Sequence, residues 1–193
     1  MPPTSRRTSL TPEDWSEAGL LAMAEGGLGA VRVEPLAQRL GATKGSFYWH
    51  FADRAALVDA VLERWEAVAT EQVIADLEAE ADPRRRLRSL FALTFADPTP
   101  GAQDLAVLAA AAHPQVALVL ERVTRRRVDY MAAVLAEVGV AGHACRARAL
   151  QAYVLWIGLL QMTSAVPQVV PGETPRAKLL EAVLEGLERL LDP

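Results

Sequence analysis

Apolar residues along this chain recur three and four positions apart, and no stretch alternates apolar with polar as a half-buried strand would. The period predicts an all-α protein of about nine helices. Their starts are legible. Thr11-Pro12-Glu13-Asp14 places a hydroxyl cap, a proline at the first helical position and acids in the first turn, with Leu10 and Trp15 spaced to clasp the entry. Asp53 caps a long amphipathic run, Ala55 to about Glu80, whose apolar side is Leu57, Val61, Trp65, Val68 and Val73. Asp82-Pro83 and Thr174-Pro175 repeat the cap-then-proline pattern, and Asp97-Pro98-Thr99-Pro100-Gly101 marks a break. Further helices are predicted at about Pro83 to Phe95, Gln103 to Ala112, Pro114 to Val138, Gly142 to Ala165 and Pro175 to Leu191.

The pattern tightens between Leu36 and Phe51. Leu36, Ala37 and Leu40 repeat at helical spacing, Gly41 supplies the positive φ that ends a helix, and Thr43 caps the next one. That second helix carries Phe47, Tyr48, Trp49 and Phe51. Successive helical residues step about 100° around the axis, so the four rings cannot share one core. Phe47 and Phe51, four apart, suit the buried stripe. Tyr48 and Trp49 are then turned to solvent beside Lys44, Ser46 and His50, an amphipathic, hydrogen-bonding surface matched to base edges and phosphate oxygens. Two short helices joined by a glycine turn in this way read as a helix-turn-helix.

From Thr11 to about Leu57 the chain resembles the TetR family of bacterial transcriptional regulators. The residues that carry the resemblance are Ala18 to Ala24, Gly27-Leu28, Leu36-Ala37-Gln38-Arg39-Leu40-Gly41, Thr43 to Phe51, and Arg54. It implies a DNA-binding domain over residues 1–54 and a helical effector-binding and dimerisation domain over 55–193. It also implies that Lys44, Gly45, Ser46 and Tyr48 lie nearest the base edges. Thr43, Trp49, His50 and Arg54 fit backbone positioning; the competing readings are a helix cap alone for Thr43, a partly packing role for Trp49 and a core histidine for His50. The chain departs from the family pattern at the start of the second helix, where Val31-Arg32-Val33 stands in place of a capping Thr or Ser. Arg32 is expected to supply the phosphate contact instead. Glu34 repels DNA unless paired, or unless it accepts from a cytosine amine.

With 193 residues, 51% of them hydrophobic, and no 18-residue uncharged apolar run, the chain is expected to be soluble rather than membrane-spanning. The single cysteine rules out an internal disulfide framework and suits a reducing cytoplasm. Met1 to Leu10 lacks the apolar stretch of a secretory signal and reads as a disordered basic arm. Net charge is −4, yet basic and acidic residues balance through Arg54 and the remainder carries the deficit. Binding to DNA therefore rests on a few placed cations, doubled by dimerisation, rather than on a broad basic surface.

Leu150 to Val166 runs almost without charge, and Leu179, Leu180, Val183, Leu184, Leu187, Leu190 and Leu191 stripe the final helix. Such faces need covering. A homodimer through the last two helices covers them and is what the resemblance implies, with a palindromic double-stranded DNA operator as partner. The resemblance further implies release by a small-molecule effector. Phe91, Phe95, His113, Tyr130, Met131, Tyr153, Trp156, Gln161 and Met162 are large or polar groups on apolar helical stretches, an inventory that suits an apolar or aromatic ligand, although such stripes also pack ordinary cores. The runs Arg84-Arg85-Arg86-x-Arg88 and Arg125-Arg126-Arg127 read as solvated helix faces neutralised by Glu78, Glu80, Asp82, Glu121 and Asp129.

An enzyme is the competing class, but no nucleotide-binding glycine loop, Gly-x-Ser-x-Gly elbow or His-Glu-x-x-His occurs, and no cofactor or metal is expected. His143 and Cys145 lie two apart with His113 distant, a weak basis for a metal or redox sensor. An architectural helix-turn-helix protein is the other alternative, distinguished by weak sequence preference and steep salt dependence. Repression, as opposed to activation, is an expectation from the resemblance alone.

Overall fold

The computed structural model describes residues 10–96, 99–169 and Lys178, with residues 94–96, 99 and 100 described by backbone alone. Every regular element among them is a helix. The α-helices are α1 (Pro12–Gly26), α2 (Val33–Arg39), α3 (Lys44–Tyr48), α4 (Arg54–Glu66), α5 (Gln72–Glu78), α6 (Pro83–Ala96), α7 (Thr99–Ala109), α8 (Pro114–Glu137) and α9 (Gly142–Ala165), with a 3-10 turn at Leu28–Ala30. The predicted N-terminal arm before Leu10 and the leucine stripe of the final helix lie outside the described residues.

Local chemistry places the first boundaries. Thr11 Oγ1 accepts from the Asp14 amide at 3.3 Å while Asp14 Oδ2 accepts from the Thr11 amide at 2.7 Å, a reciprocal cap that satisfies two otherwise orphaned donors. α1 buries Trp15, Leu20 and Met23, and α4 answers with Leu57, Val61, Leu62 and Trp65. Gly19 stands at their crossing: a Cβ there would come 2.4 Å from Val61 Cγ2, so the close helix approach requires glycine. Between α2 and α3, Gly41 adopts φ +62°, a conformation that L side chains resist, and lets the Ala42 amide donate back to Ala37 O at 2.8 Å.

Asp53 Oδ1 accepts from the Ala56 amide at 2.9 Å and starts a helical run that continues to Glu78. The run is not uniform. Ala67–Glu71 form a π-helical turn between α4 and α5, and such turns redirect the groups they carry. α7 begins at Thr99, four positions before the predicted Gln103. Pro100 sits in its first turn, where the missing N–H is no loss, and Gly101 allows α7 to press against Leu160 of α9.

Two apolar clusters hold the chain together. The first joins Trp15, Met23, Leu36, Phe47, Leu57 and Trp65 and extends to Val107 of α7 and Val116 and Val123 of α8. The second joins Ile74, Leu77, Leu87 and Phe91 to Val134, Leu135 and Ala149 of α8 and α9. The first cluster thus reaches beyond residue 54, so the helix-turn-helix shares its core with α7 and α8. A row of polar contacts fastens α8 to the α4–α5 run: Gln115 to Asp59 at 2.8 Å, Arg122 to Glu66 at 2.8 Å through Nε, and Arg126 to Glu71 at 3.1 Å.

Candidate functional site

α3 presents one buried and one exposed side, as the ring spacing predicts. Phe47 is fully buried and packs edge-on against Trp15 at 5.4 Å, with Phe51 stacked on it at 5.4 Å. Tyr48 is 54% exposed and Trp49 is 88% exposed. A fully solvated indole is uncommon, because nothing in the chain compensates its hydration. Thr43 caps α3 by accepting from the Ser46 amide at 3.2 Å, and its hydroxyl is exposed. Gly45 is exposed as well, and a Cβ there would meet only Thr43 Oγ1 at 3.7 Å. The chain's own packing does not demand glycine at that position, although glycine weakens a helix. Ser46 and His50 are half-buried at the edge of the same surface.

The cations around α3 differ sharply in their surroundings. Lys44 Nζ lies 2.6 Å from Glu34 Oε1, so the acid that would face DNA is paired. The hydrogen bond holds the Glu34 carboxyl below its ordinary range and raises the Lys44 ammonium. Arg39 makes a two-pronged pair with Glu25 at 3.0 and 2.5 Å. Arg32 stands at the N-cap of α2 with an exposed side chain that makes no capping bond. Arg54 turns inward to the backbone: Nε donates to Val31 O at 2.7 Å and Nη2 to Leu28 O at 2.8 Å, tying α4 to the entry of α2.

A cavity of about 290 Å³ lies in the larger, C-terminal part of the chain. Among the predicted effector residues, Phe91, Tyr130, Met131, Tyr153 and Trp156 line it. His113, Gln161 and Met162 do not. His113 occupies the N-cap position of α8, and Gln161 and Met162 face outward on α9 because the helix period carries them off the side that Leu160 buries. The side chain of Phe95 lies outside the described residues.

The cavity also holds polar residues outside the predicted effector set. Arg127 Nη1 donates to Asp104 at 2.8 Å, Nε to Thr70 Oγ1 at 2.8 Å and Nη2 to Ala69 O at 3.0 Å. Its guanidinium lies 5.2 Å from the Trp65 ring centroid and 5.3 Å from that of Trp156. Burial pushes the Asp104 carboxyl upward, while Arg127 pulls it down. The π-helical turn contributes both Ala69 O and Thr70. The arginine run predicts a solvated face; Arg127 departs from it because it meets Trp65, Trp156 and Asp104 of other helices, which no local spacing reveals.

Elsewhere, Arg125 pairs with Glu121 at 2.6 Å as expected, whereas Asp129 pairs with Arg146 of α9. Arg86 reaches Glu137 at 3.3 Å. Cys145 is buried with its thiol against Val140 O at 3.4 Å, His143 is exposed, and no group of three His, Cys, Asp or Glu side chains gathers among the described residues. No helix among them is long and apolar enough to cross a membrane.

A helix-turn-helix with an exposed aromatic recognition helix, carried on an all-helical body, defines the class of DNA-binding transcriptional regulators. Within the chain, residues 17–61 match the family model described as bacterial regulatory proteins, tetR family. Solved structures share the fold over nearly the whole chain. A transcriptional regulator from Pseudomonas aeruginosa PAO1 is 24% identical, covering 95% of both chains with a TM-score of 0.71. A TetR-family regulator from Agrobacterium tumefaciens is 20% identical, covering 91% of this chain and 98% of its own, also at 0.71. A regulator from Saccharomonospora viridis, in complex with choline, is 22% identical over 90% of this chain and 95% of its own, at 0.76. No curated protein sequence matches the chain.

Proposed function

We propose that the protein is a cytoplasmic, homodimeric repressor that binds a palindromic operator and is released by a small, largely apolar effector. The observation that carries this reading is the solvated pair Tyr48 and Trp49 beside Lys44 on the capped third helix. Lys44, Gly45, Ser46 and Tyr48 meet base edges, with Gly45 admitting close backbone approach; Arg32, Thr43, Trp49 and His50 set the register on phosphates. Arg54 acts mainly by holding the second helix in place. Residues 1–54 form the DNA-binding unit and 55–193 the effector and dimer unit, the two joined by a shared apolar core.

Dimerisation is supported by Leu118, Leu150, Val154 and Leu155, which are 70%, 49%, 61% and 42% exposed on α8 and α9. Apolar faces of this kind call for a partner. Effector binding is supported by the aromatic cavity beneath α6, α8 and α9. The reading is of a regulator and not of an enzyme. A choline-like cation, as held by the Saccharomonospora viridis neighbour, would find the indole faces of Trp65 and Trp156 already occupied by Arg127.

Selection of genomic fragments by the purified protein, followed by anisotropy against scrambled duplexes, tests the reading. Preference for a two-fold symmetric site is expected. Equal affinity for scrambled DNA would remove the regulator assignment and favour an architectural role.

A further inference from the structure

Arg127 on α8 and Asp104 on α7 form a buried ion pair in the cavity wall, with side-chain exposures of 13% and 4%. Arg127 is anchored independently of that partner by Thr70 Oγ1, by Ala69 O and by two indole faces. A guanidinium has five N–H donors, and three are engaged among the described residues. Tyr130 lines the same cavity at 7% exposure, and its hydroxyl finds no partner among the described residues.

These groups discriminate between ligand classes. A cation would have to share Asp104 with Arg127, and the indole faces of Trp65 and Trp156 already hold that guanidinium. A wholly apolar ligand would leave the Tyr130 hydroxyl without a partner, a cost that binding in a dry cavity magnifies. A carboxylate can accept from the guanidinium, in place of Asp104 and at the remaining donors, while Arg127 keeps its anchors on Thr70, Ala69 and the indoles. Once displaced, the buried Asp104 carboxylate must take up a proton from solvent, since burial disfavours its unpaired ionised form.

We propose that the effector is a flat apolar monocarboxylate whose anion takes Arg127 from Asp104. Its apolar body lies among Phe91, Met131, Tyr153 and Trp156. The exchange unfastens α7 from α8. α7 packs on α1, and Val107 of α7 belongs to the same core as Trp15, so displacement of Asp104 reaches the DNA-binding unit by direct contact. The inference rests on the cavity being the effector site.

Calorimetry of the full-length protein with naphthoate, naphthamide and naphthylmethylammonium separates the classes, since the three share one apolar body. Naphthoate is expected to bind about tenfold more tightly than the amide, and the ammonium more weakly still. Asp104→Asn keeps the shape and removes the competitor, so it should tighten naphthoate severalfold and leave naphthamide within about twofold. Arg127→Met should abolish the preference for the anion, with circular dichroism reporting whether the variant folds. An amide or ammonium that binds as well as naphthoate, loss of naphthoate affinity in Asp104→Asn, or no binding by any probe would overturn the proposal. Operator release by the amide alone would keep the regulator reading and remove the carboxylate. Absence of operator binding in ligand-free protein would remove the regulator reading while the affinity ranking stood.

Discussion

Lys44 Nζ lies 2.6 Å from Glu34 Oε1, joining the start of the third helix to the first turn of the second. Both groups are exposed, so the pair orients rather than stabilises. On the proposed reading, DNA must take Lys44 from Glu34 before the ammonium reaches a base. Glu34→Gln is therefore expected to raise affinity for every duplex severalfold and to narrow the gap between operator and scrambled DNA, with the gain shrinking as salt increases. Anisotropy titrations at two salt concentrations check this, and an unchanged gap would count against competition.

Lys44→Ala and Arg54→Ala should differ in kind. The first removes the proposed base contact and is expected to cost about 1–3 kcal/mol on the operator with little effect on thermal stability. The second removes two bonds to the Val31 and Leu28 carbonyls, and is expected to destabilise the fold by about 1–3 kcal/mol as well as to weaken DNA binding. Melting curves of the two variants without DNA distinguish the roles.

Trp49→Ala is expected to leave stability within about 0.5 kcal/mol, because the indole is 88% exposed. Phe47→Ala, two positions away, should cost about 3–5 kcal/mol, because its ring is fully buried between Trp15 and Phe51. DNA affinity of the folded Trp49 variant should fall. Chemical denaturation together with anisotropy measures both effects.

Acid should loosen the contact between α4 and α8. The Glu66 carboxyl is held below its ordinary value of 4.5, chiefly by its hydrogen bond from Arg122. A depressed carboxyl contributes stability that is complete above the unfolded value and is lost as pH falls through the folded one. Below pH 4.5 the wild type is thus expected to lose stability more steeply than Glu66→Gln, which lacks the titrating group. Urea midpoints measured across that window test the sign.

Val154→Glu places a charge at a 61% exposed apolar position on α9. If α9 forms part of the dimer, an unpaired carboxylate there should yield monomers and lower operator affinity. Sedimentation of wild type and variant at micromolar concentration decides the matter.

Everything governed by neighbours in sequence was legible beforehand. The Thr11, Thr43 and Asp53 caps and the Gly41 turn depend on contacts no more than five residues away, and the division of Phe47 and Phe51 from Tyr48 and Trp49 follows from helical spacing. The family motif is local for the same reason. So is the Arg125–Glu121 pair, at i and i+4 on one face.

Partners from distant helices were not legible. Arg125, Arg126 and Arg127 are chemically identical neighbours, yet one pairs within its own helix, one crosses to Glu71, and one enters a cavity between Trp65 and Trp156 to meet Asp104. Each step of about 100° around α8 points to a different surface, and only the packed arrangement of α4, α7 and α9 decides what stands there. The helix-turn-helix and the exposed rings of its third helix are therefore legible in the chain itself, while the polar half of the cavity came from tertiary packing, because burial and pairing of a charge depend on neighbours that sequence separation conceals.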